Sequence, residues 1–245
     1  MAPTRTRREF SIAGLFCSAA SAVFSVAALA SPPLSTDDAS TLDPGNCQFE
    51  IERRRFNRST ELDIVPACNL FGDMELAIGK LRVDAEGVPR IDGVMYSIKK
   101  VLVAGGDGEW SAGFNASTVR AAGNASGLRQ NQVTALVTRL LDPGTSTALH
   151  VNAGWIHDRE SGNEARRDRF TWAVAVESDL LARWTVVAEV FGQQGLPEAA
   201  QVGLRWWAVP GHVQFTTSFG ALRGLGQDGR WTSVGVRFET ARSIF

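Results

Sequence analysis

The sequence contains few residues of the kinds that bind metal ions or carry out nucleophilic chemistry. Three cysteines and three histidines occur among 245 residues, and His150, His157 and His212 are scattered rather than clustered. Because a protein metal site needs several such side chains close together, we expect no metal site and no cofactor. The glycine-rich stretch Gly105-Gly106-Asp107-Gly108 precedes no predicted helix, so it does not predict a phosphate-binding loop.

The chain also lacks a large excess of charge of either sign. It has 25 Lys and Arg against 26 Asp and Glu. Without residues 1–30 the counts become 25 − 3 = 22 and 26 − 1 = 25, a net charge of −3. Nucleic-acid-binding domains carry a basic footprint, so we expect no nucleic-acid partner. The mean hydropathy of −0.06 would fit a soluble enzyme equally well, so composition alone does not identify the class of protein.

The N-terminus carries the features of an export signal. Three arginines at positions 5, 7 and 8 precede an apolar stretch at 10–30, which ends in the small-x-small sequence Ala28-Leu29-Ala30. This pattern predicts a signal peptide at 1–30, cleaved after Ala30. An uncleaved membrane anchor is the alternative. The adjacent arginines also resemble a twin-arginine signal, so the export route stays open.

Alternation between apolar and polar residues dominates the rest of the chain. Residues 31–46 are rich in Ser, Pro and Asp and predict a flexible lead-in. From residue 47 onward the period is that of a β-strand with two different faces, as in 169–177, where Phe170, Trp172 and Val174 share one face. Twelve strands are predicted, at 47–56, 60–70, 74–83, 94–103, 108–118, 131–141, 147–157, 165–178, 181–193, 200–209, 212–222 and 230–239. Residues 240–245 form a C-terminal tail.

The two faces of these strands favour a membrane barrel over a soluble sandwich. The polar face is rich in small residues with sparse charges, whereas a water-facing sheet would usually carry more Lys and Glu. The apolar face carries aromatic residues such as Trp184 and Trp206, which suit lipid contact. The sequence therefore predicts an all-β fold at 47–239. This fold is a single antiparallel transmembrane β-barrel of about twelve strands, with short periplasmic turns and longer outer loops such as 158–164.

Cys47 and Cys68 remain after the signal peptide, in a compartment where disulfides persist. Their midpoint coincides with the first predicted loop at 57–58, so a hairpin folded there places them opposite each other. We predict a disulfide between them; two free buried thiols are the alternative.

Three strand sequences resemble a known family. They are Ala-Leu-His-Val-Asn-Ala-Gly-Trp at 148–155, Val-Ala-Glu-Val-Phe-Gly at 187–192 and Gln-Val-Gly-Leu-Arg-Trp-Trp at 201–207. They resemble the Gram-negative outer-membrane barrel family named for the meta-pathway of phenol degradation. The resemblance covers 145–238 well and the first half by pattern only. It implies uptake of small hydrophobic or aromatic molecules.

The final strand bears on insertion into the membrane. The aromatic-terminated segment 231–238 resembles the signal that the barrel-insertion machinery reads, but seven residues follow it, up to Phe245. The expected location is the cell outer membrane. The expected partners are outer-membrane lipid, the insertion machinery and a small-molecule solute.

Charged residues collect on the face predicted to line the lumen. They are Arg169, Glu177, Arg183, Glu189, Arg205 and Arg237. A turn at 178–180 would set Glu177 opposite Arg183 and Thr171 opposite Glu189. Two interpretations follow: ion pairs that brace the lumen, or a charged constriction that selects solutes.

His150 and Asn152 share this lumen face. A hydrolase would need a serine within hydrogen-bonding reach of the histidine, and the sequence near His150 does not supply one. We therefore predict that the chain is not an enzyme but a passive or selective channel for small molecules. The alternatives are a closed barrel with a structural or partner-binding role and, less favoured, an outer-membrane lipid-modifying enzyme.

Overall fold

The structure, a computed structural model, describes residues 35–105, 110–122, 129–142, 146–160 and 163–240; the side chains of 160 and 163–167 are not described. The predicted signal peptide at 1–30, the start of the lead-in and the tail after 240 lie outside these residues. Within the described part of the chain, no helix is long and apolar enough to span a membrane.

Twelve strands close into one antiparallel barrel in which each strand pairs with its neighbours in sequence and β1 pairs with β12. This confirms the predicted fold class. The strands are β1 Cys47–Phe56, β2 Ser59–Asn69, β3 Met74–Ala85, β4 Ile91–Val103, β5 Trp110–Ala122, β6 Arg129–Asp142, β7 Thr147–Glu160, β8 Asn163–Leu181, β9 Trp184–Gln193, β10 Ala199–Val209, β11 Val213–Leu222 and β12 Arg230–Glu239.

The strand ends define two rims. The terminal rim carries Cys47 and Glu239, where the barrel begins and ends, and the loop rim is the opposite one. Thr240 ties the two chain ends together, because its backbone N–H donates to the Cys47 carbonyl at 2.9 Å. The Cys47–Cys68 disulfide is present at the terminal rim, and the two residues are direct partners in the β1–β2 register, which confirms the predicted pairing.

One hairpin differs from the prediction. The predicted loop at 158–164 is largely strand, because β7 runs to Glu160 and β8 begins at Asn163. The turn after β8 also lies later than predicted, at 182–183. Alternating polarity does not reveal where a strand stops when its rim ends are polar on both faces.

Where the side chains are described, they alternate between the lumen and the outside along the strands. On β1, Glu50 and Glu52 are buried in the lumen, whereas Phe49 is exposed on the outside. Large apolar side chains are therefore exposed around the outer surface. Examples are Val133, Trp155, Phe170, Val202, Phe219 and Val234.

Candidate functional site: the lumen and its N-terminal segment

Residues 35–42, here called the inner segment, lie inside the barrel. The chain enters at the terminal rim, where the Gly45 N–H donates to the Asn69 carbonyl at 2.7 Å. The Asn69 side chain then donates to the Leu42 carbonyl at 2.5 Å, and the Leu42 N–H donates to the Glu75 carboxylate at 3.3 Å. Glu75 faces inward from β3, so the segment leaves the rim along the lumen wall.

A buried lysine on β4 holds the middle of the inner segment. The Lys99 ammonium lies 2.7 Å from a carboxylate oxygen of Asp37 and 2.7 Å from one of Asp38. The Asn115 amide on β5 donates to the other oxygen of Asp37 at 3.3 Å. Asp37 is 1% exposed and Lys99 7%, so this is an ion cluster within the lumen.

Two carboxylates share one ammonium in this cluster, and their pKa values diverge. Both aspartates belong to the inner segment, outside the strands. Burial raises the pKa of Asp37 to about 7, against the opposing charge of Lys99. Burial also disfavours the charged form of Asp38, but the charge of Lys99 and its hydrogen bond outweigh that and lower the pKa of Asp38. One carboxylate thus stays ionised while the other is poised to bind a proton.

The start of the inner segment is bound by Glu189 of β9. The backbone N–H groups of Ser35 and Thr36 donate to its two carboxylate oxygens at 2.6 and 2.7 Å. The Thr36 hydroxyl donates to the same carboxylate at 2.5 Å. Glu189 also accepts a short hydrogen bond from the Gln201 amide. A carboxylate can bind any polar ligand that offers two adjacent hydrogen-bond donors. Here Glu189 binds the backbone of the inner segment in this way.

A polar chain of contacts crosses from the inner segment to four further strands. The Ala39 N–H donates to the Thr138 hydroxyl oxygen at 2.8 Å, and Thr138 Oγ1 lies 2.9 Å from Nδ1 of His150. Nε2 of His150 is 3.6 Å from Glu177, which accepts a hydrogen bond from Arg205 at 2.7 Å. Thr138, His150 and Glu177 thus follow one another in the order of the hydroxyl, imidazole and carboxylate of a hydrolase triad. All three side chains face the lumen, however, and the Thr138 hydroxyl already accepts a hydrogen bond from the inner segment.

The loop-rim half of the lumen combines apolar packing with an ion cluster of β1 and β2, in which Arg54 lies 3.5 Å from Glu52 and 3.3 Å from Glu61. Val65, Leu81, Met95 and Val119 pack into one buried cluster on β2–β5. Aromatic rings line the wall at β1, β9 and β12. The ring centroid of Trp231 lies 5.6 Å from that of Phe56 and 6.3 Å from that of Phe191. The Trp231 indole donates to the Gln201 side-chain oxygen at 3.2 Å, which satisfies its buried N–H.

The structure pairs most of the predicted lumen charges, though not as expected. Arg205 pairs with Glu177. Arg237 lies 3.7 Å from Glu50 and 2.5 Å from Glu239, and Arg169 makes a short contact with Asp158.

The predicted register of the β8–β9 hairpin is wrong. Glu177 lies opposite Val187, and Glu189 lies opposite Ala175. Arg183 is an exposed residue of the 182–183 turn and not a strand residue opposite Glu177. On β9, the partner of Glu177 is thus four residues later than predicted. A shift by an even number of residues leaves each side chain on its predicted face of the sheet and changes only its cross-strand neighbour. The role of these charges in a solute path stays a prediction.

Sequence reasoning missed the residues that bind the inner segment, notably Lys99, Thr138 and Asp37. A hairpin centred on the Asp-Pro-Gly turn at 142–144 would set Thr138 opposite Ala148, whereas the observed β6–β7 register sets it opposite His150, two residues further along the same face. No local pattern signals that an irregular segment lies in a lumen. Asn152 is buried, at 4% exposure, and its place in a solute path stays a prediction.

Several buried polar atoms on the inner wall have no protein partner among the described residues. They include both side-chain amide atoms of Asn152, the Thr216 hydroxyl and the side-chain oxygens of Gln132 and Gln214. Buried polar groups in proteins generally bind protein or water, so we expect water along this wall. In the same part of the chain no group of His, Cys, Asp and Glu is arranged to hold a metal ion.

Comparison with known proteins identifies a family and a fold. A sequence model described as "Uncharacterised conserved protein UCP029691" matches residues 19–237. No curated protein matches. Among solved structures, the KdgM porin superposes with a TM-score of 0.60 and 10% identity, over 78% of this chain and 98% of that one. The NanC porin gives a TM-score of 0.58 and 10% identity, over 78% and 98%.

A third similar structure is the translocator domain of the autotransporter NalP from Neisseria meningitidis, with a TM-score of 0.50 and 11% identity over 82% of this chain and 90% of that one. At such low identities the likeness concerns the fold alone. The chain thus has a porin-like β-barrel fold. None of these matches concerns the phenol meta-pathway family, so that resemblance stays a prediction.

Proposed function

We propose that this chain, which belongs to the family of uncharacterised conserved proteins UCP029691, is an outer-membrane channel for small solutes whose lumen is closed by its own inner segment. The observation that carries the proposal is the polar attachment of residues 35–42 inside a closed barrel. Contacts of this kind exchange readily with water, so the segment can leave the lumen without exposing a hydrophobic core.

The outer surface supports residence in a membrane. Apolar side chains such as Val133 at 56%, Val202 at 57% and Val234 at 60% exposure lie on strands distributed around the barrel. A soluble protein rarely exposes so continuous an apolar surface, whereas lipid satisfies it. With residues 1–30 read as an export signal, the compartment is the outer membrane, the terminal rim is periplasmic, and insertion uses the barrel-insertion machinery.

The lumen supports a solute with an apolar or aromatic body and a polar end. The loop-rim half presents the Val65–Leu81–Met95–Val119 cluster together with the Trp231 and Phe191 rings. The terminal-rim half presents Lys99, Arg205 and the His150–Thr138 pair. The apolar and aromatic surfaces suit the small hydrophobic or aromatic molecules that the sequence resemblance implies, and the Arg54–Glu61 pair adds a charged surface beside them.

A pair of adjacent lysines gives a matched test. Lys99 faces the lumen and binds Asp37 and Asp38, whereas Lys100 faces outward and binds Asp73 in a turn at 2.8 Å. Removing one partner of a buried ion pair costs about 3–5 kcal/mol, because the other charge is left buried without a partner. Asp37 lowers this cost when it binds a proton and becomes neutral. We expect Lys99→Met to raise the ratio of open to closed time by about tenfold or more and Lys100→Met to leave it unchanged.

Single-channel recording in a planar bilayer measures this ratio, after a heat-dependent gel shift has verified that each variant is folded. Discrete current steps that respond to Lys99→Met and not to Lys100→Met support the proposal. A folded barrel that never conducts in any variant contradicts it.

That second outcome would favour a closed barrel with a structural or partner-binding role. The apolar packing of the loop-rim half is the observation that supports this alternative. A lipid-modifying enzyme has less support, because the His150 group faces away from lipid.

A further inference from the structure

Three arginines form one row on the outside of the barrel, next to the loop rim. Arg120 of β5 lies directly opposite Arg129 of β6, and Arg129 lies directly opposite Arg159 of β7. All three are exposed, and their neighbours in sequence, Val119 and Gln130, are buried in the lumen. Adjacent strands lie about 4.8 Å apart, so the three side chains share a patch of surface, here called the basic row.

Among the described side chains, none supplies a counter-charge to the basic row. In the described ranges no ion pair or hydrogen bond engages the side chains of Arg120, Arg129 or Arg159, whereas other exposed basic residues do have acidic partners, such as Arg82 with Asp92 and Arg90 with Asp84. Like charges directly opposite each other on a sheet are destabilising. The row therefore carries an unfavourable electrostatic energy that an external anion would relieve.

The row continues toward β3. Lys80 is exposed and lies opposite Val94, and Val94 lies opposite Arg120 on its other side. One register line thus carries four cations across five neighbouring strands. Because the strands of a membrane barrel are tilted, this line runs obliquely around the barrel: the three arginines lie at or near the loop-rim ends of their strands, whereas Lys80 lies further toward the middle of β3.

The basic row lies beside the apolar surface, where the head groups of a surrounding lipid layer would lie. On β7, two residues from Arg159 toward the terminal rim, the His157 imidazole shares a hydrogen bond of 2.7 Å with the Asp168 carboxylate. The Trp155 indole donates to the same carboxylate at 3.2 Å. Trp155 and its neighbour Val133 already belong to the exposed apolar surface. Amphipathic aromatic residues mark the boundary between hydrocarbon and water, so the row lies just beyond that boundary.

We propose that the basic row, with Lys80 beside it, binds the phosphate groups of a phosphorylated glycolipid in the outer leaflet of the membrane. Guanidinium groups match phosphate oxygens in two-pronged hydrogen bonds, and the acyl chains of the same lipid would cover Val133 and Trp155. A soluble anion would gain the first contact without the second. The inference rests on the proposed membrane location, but not on whether the lumen conducts.

The test uses the full protein, purified in non-ionic detergent micelles, and two probes. One is an acylated diglucosamine lipid with its phosphates, and the other is the same lipid after both phosphates have been removed. Native mass spectrometry measures the bound fraction of each. We expect the phosphorylated lipid to bind more tightly, and the triple variant Arg120→Gln, Arg129→Gln, Arg159→Gln to weaken its binding by about tenfold or more.

A second triple variant provides the control. Arg90, Arg223 and Arg230 are also exposed at the loop rim, but they are divided between the β3–β4 and β11–β12 hairpins, and two of them already have acidic partners. Changing all three to Gln removes the same charge, and we expect binding to change by less than about twofold. An equal loss in both triple variants, or equal binding of the two probes, would overturn the proposal.

Free inorganic phosphate separates the two sources of the anion. If it displaces the lipid at concentrations similar to those of the lipid itself, the site is a simple anion site and the lipid assignment is wrong. The channel proposal fails separately: a barrel that never conducts can still bind the glycolipid through the basic row, and a conducting barrel can be indifferent to its phosphates.

Discussion

The two halves of the lumen are closed by different kinds of contact. In the terminal-rim half, the inner segment is bound by hydrogen bonds and ion pairs to Lys99 and Thr138. In the loop-rim half, the wall residues contact one another: Leu81, Met95 and Val119 pack together, and Arg54 pairs with Glu61. The first half is filled by a separate piece of chain, and the second by the barrel itself.

This difference indicates which half of the lumen can open. Polar contacts contribute only about 0.5–1.5 kcal/mol each after exchange with water, and they can be replaced by contacts with a solute. Apolar packing is lost outright when the side chains separate, and it costs about 25 cal/mol for each Å² returned to water. A gate in the terminal-rim half can therefore move while the loop-rim half stays rigid.

The largest effect is expected from deleting residues 35–42. If the inner segment is the barrier, the deleted barrel conducts continuously, because the ion cluster around Lys99 loses its occupant and fills with water. Conductance in a planar bilayer measures this. No current from a folded deletion variant would place the barrier in the apolar half and reverse the comparison.

A smaller effect is expected from pH. The docked Asp37 has a pKa of about 7, above the ordinary 3.8, so the docked segment holds its proton more tightly than the released one. Docking is therefore strongest at low pH and weakens as pH rises from about 4 to about 7, by up to about tenfold for each pH unit. Asp38, with its lowered pKa, stays ionised throughout this window.

Open time in bilayer recordings should accordingly increase between about pH 4 and about pH 7. Asp37→Asn removes the titrating group and leaves Lys99 paired with Asp38 alone, so this variant should stay closed across the window. An increase of the same size in the variant would show that a different group is responsible.

The smallest effect concerns the rigidity of the loop-rim half. A methyl group added at Gly220 would overlap the ring of Trp231, whereas one added at Gly93 would meet no atom closer than 3.5 Å. We expect Gly220→Ala to lower the free energy of unfolding by about 1–3 kcal/mol, because the buried ring must move. Gly93→Ala should change it by about 0.5 kcal/mol or less.

Urea unfolding in micelles compares these two glycine variants under the same conditions. Equal losses of stability would mean that the apolar half is packed no more tightly around Trp231 than elsewhere. In that case its proposed rigidity would not distinguish it from the terminal-rim half.

Much of the barrel could be predicted because its signals are local. The first hairpin follows from the Asn57-Arg58 turn and the Cys47–Cys68 spacing, and the observed register agrees. Where the turn was ambiguous, at 178–183, the predicted register failed, although the lumen face of Glu177 and Glu189 was assigned correctly. Polarity reports the face of a strand, whereas its partner depends on where the turn closes.

The sequence by itself determined the alternation of faces, the number of strands and the disulfide, because each depends on residues close together along the chain or symmetric about one turn. Only the tertiary structure decided that residues 35–42 lie in the lumen, that Lys99 binds Asp37 and Asp38, and that Arg120, Arg129 and Arg159 align in one row. The contacts of the inner segment join positions 27 to 154 residues apart, and the arginine row depends on the registers of two successive strand pairs. The inner segment has its neighbours only once strands β3 to β9 surround it.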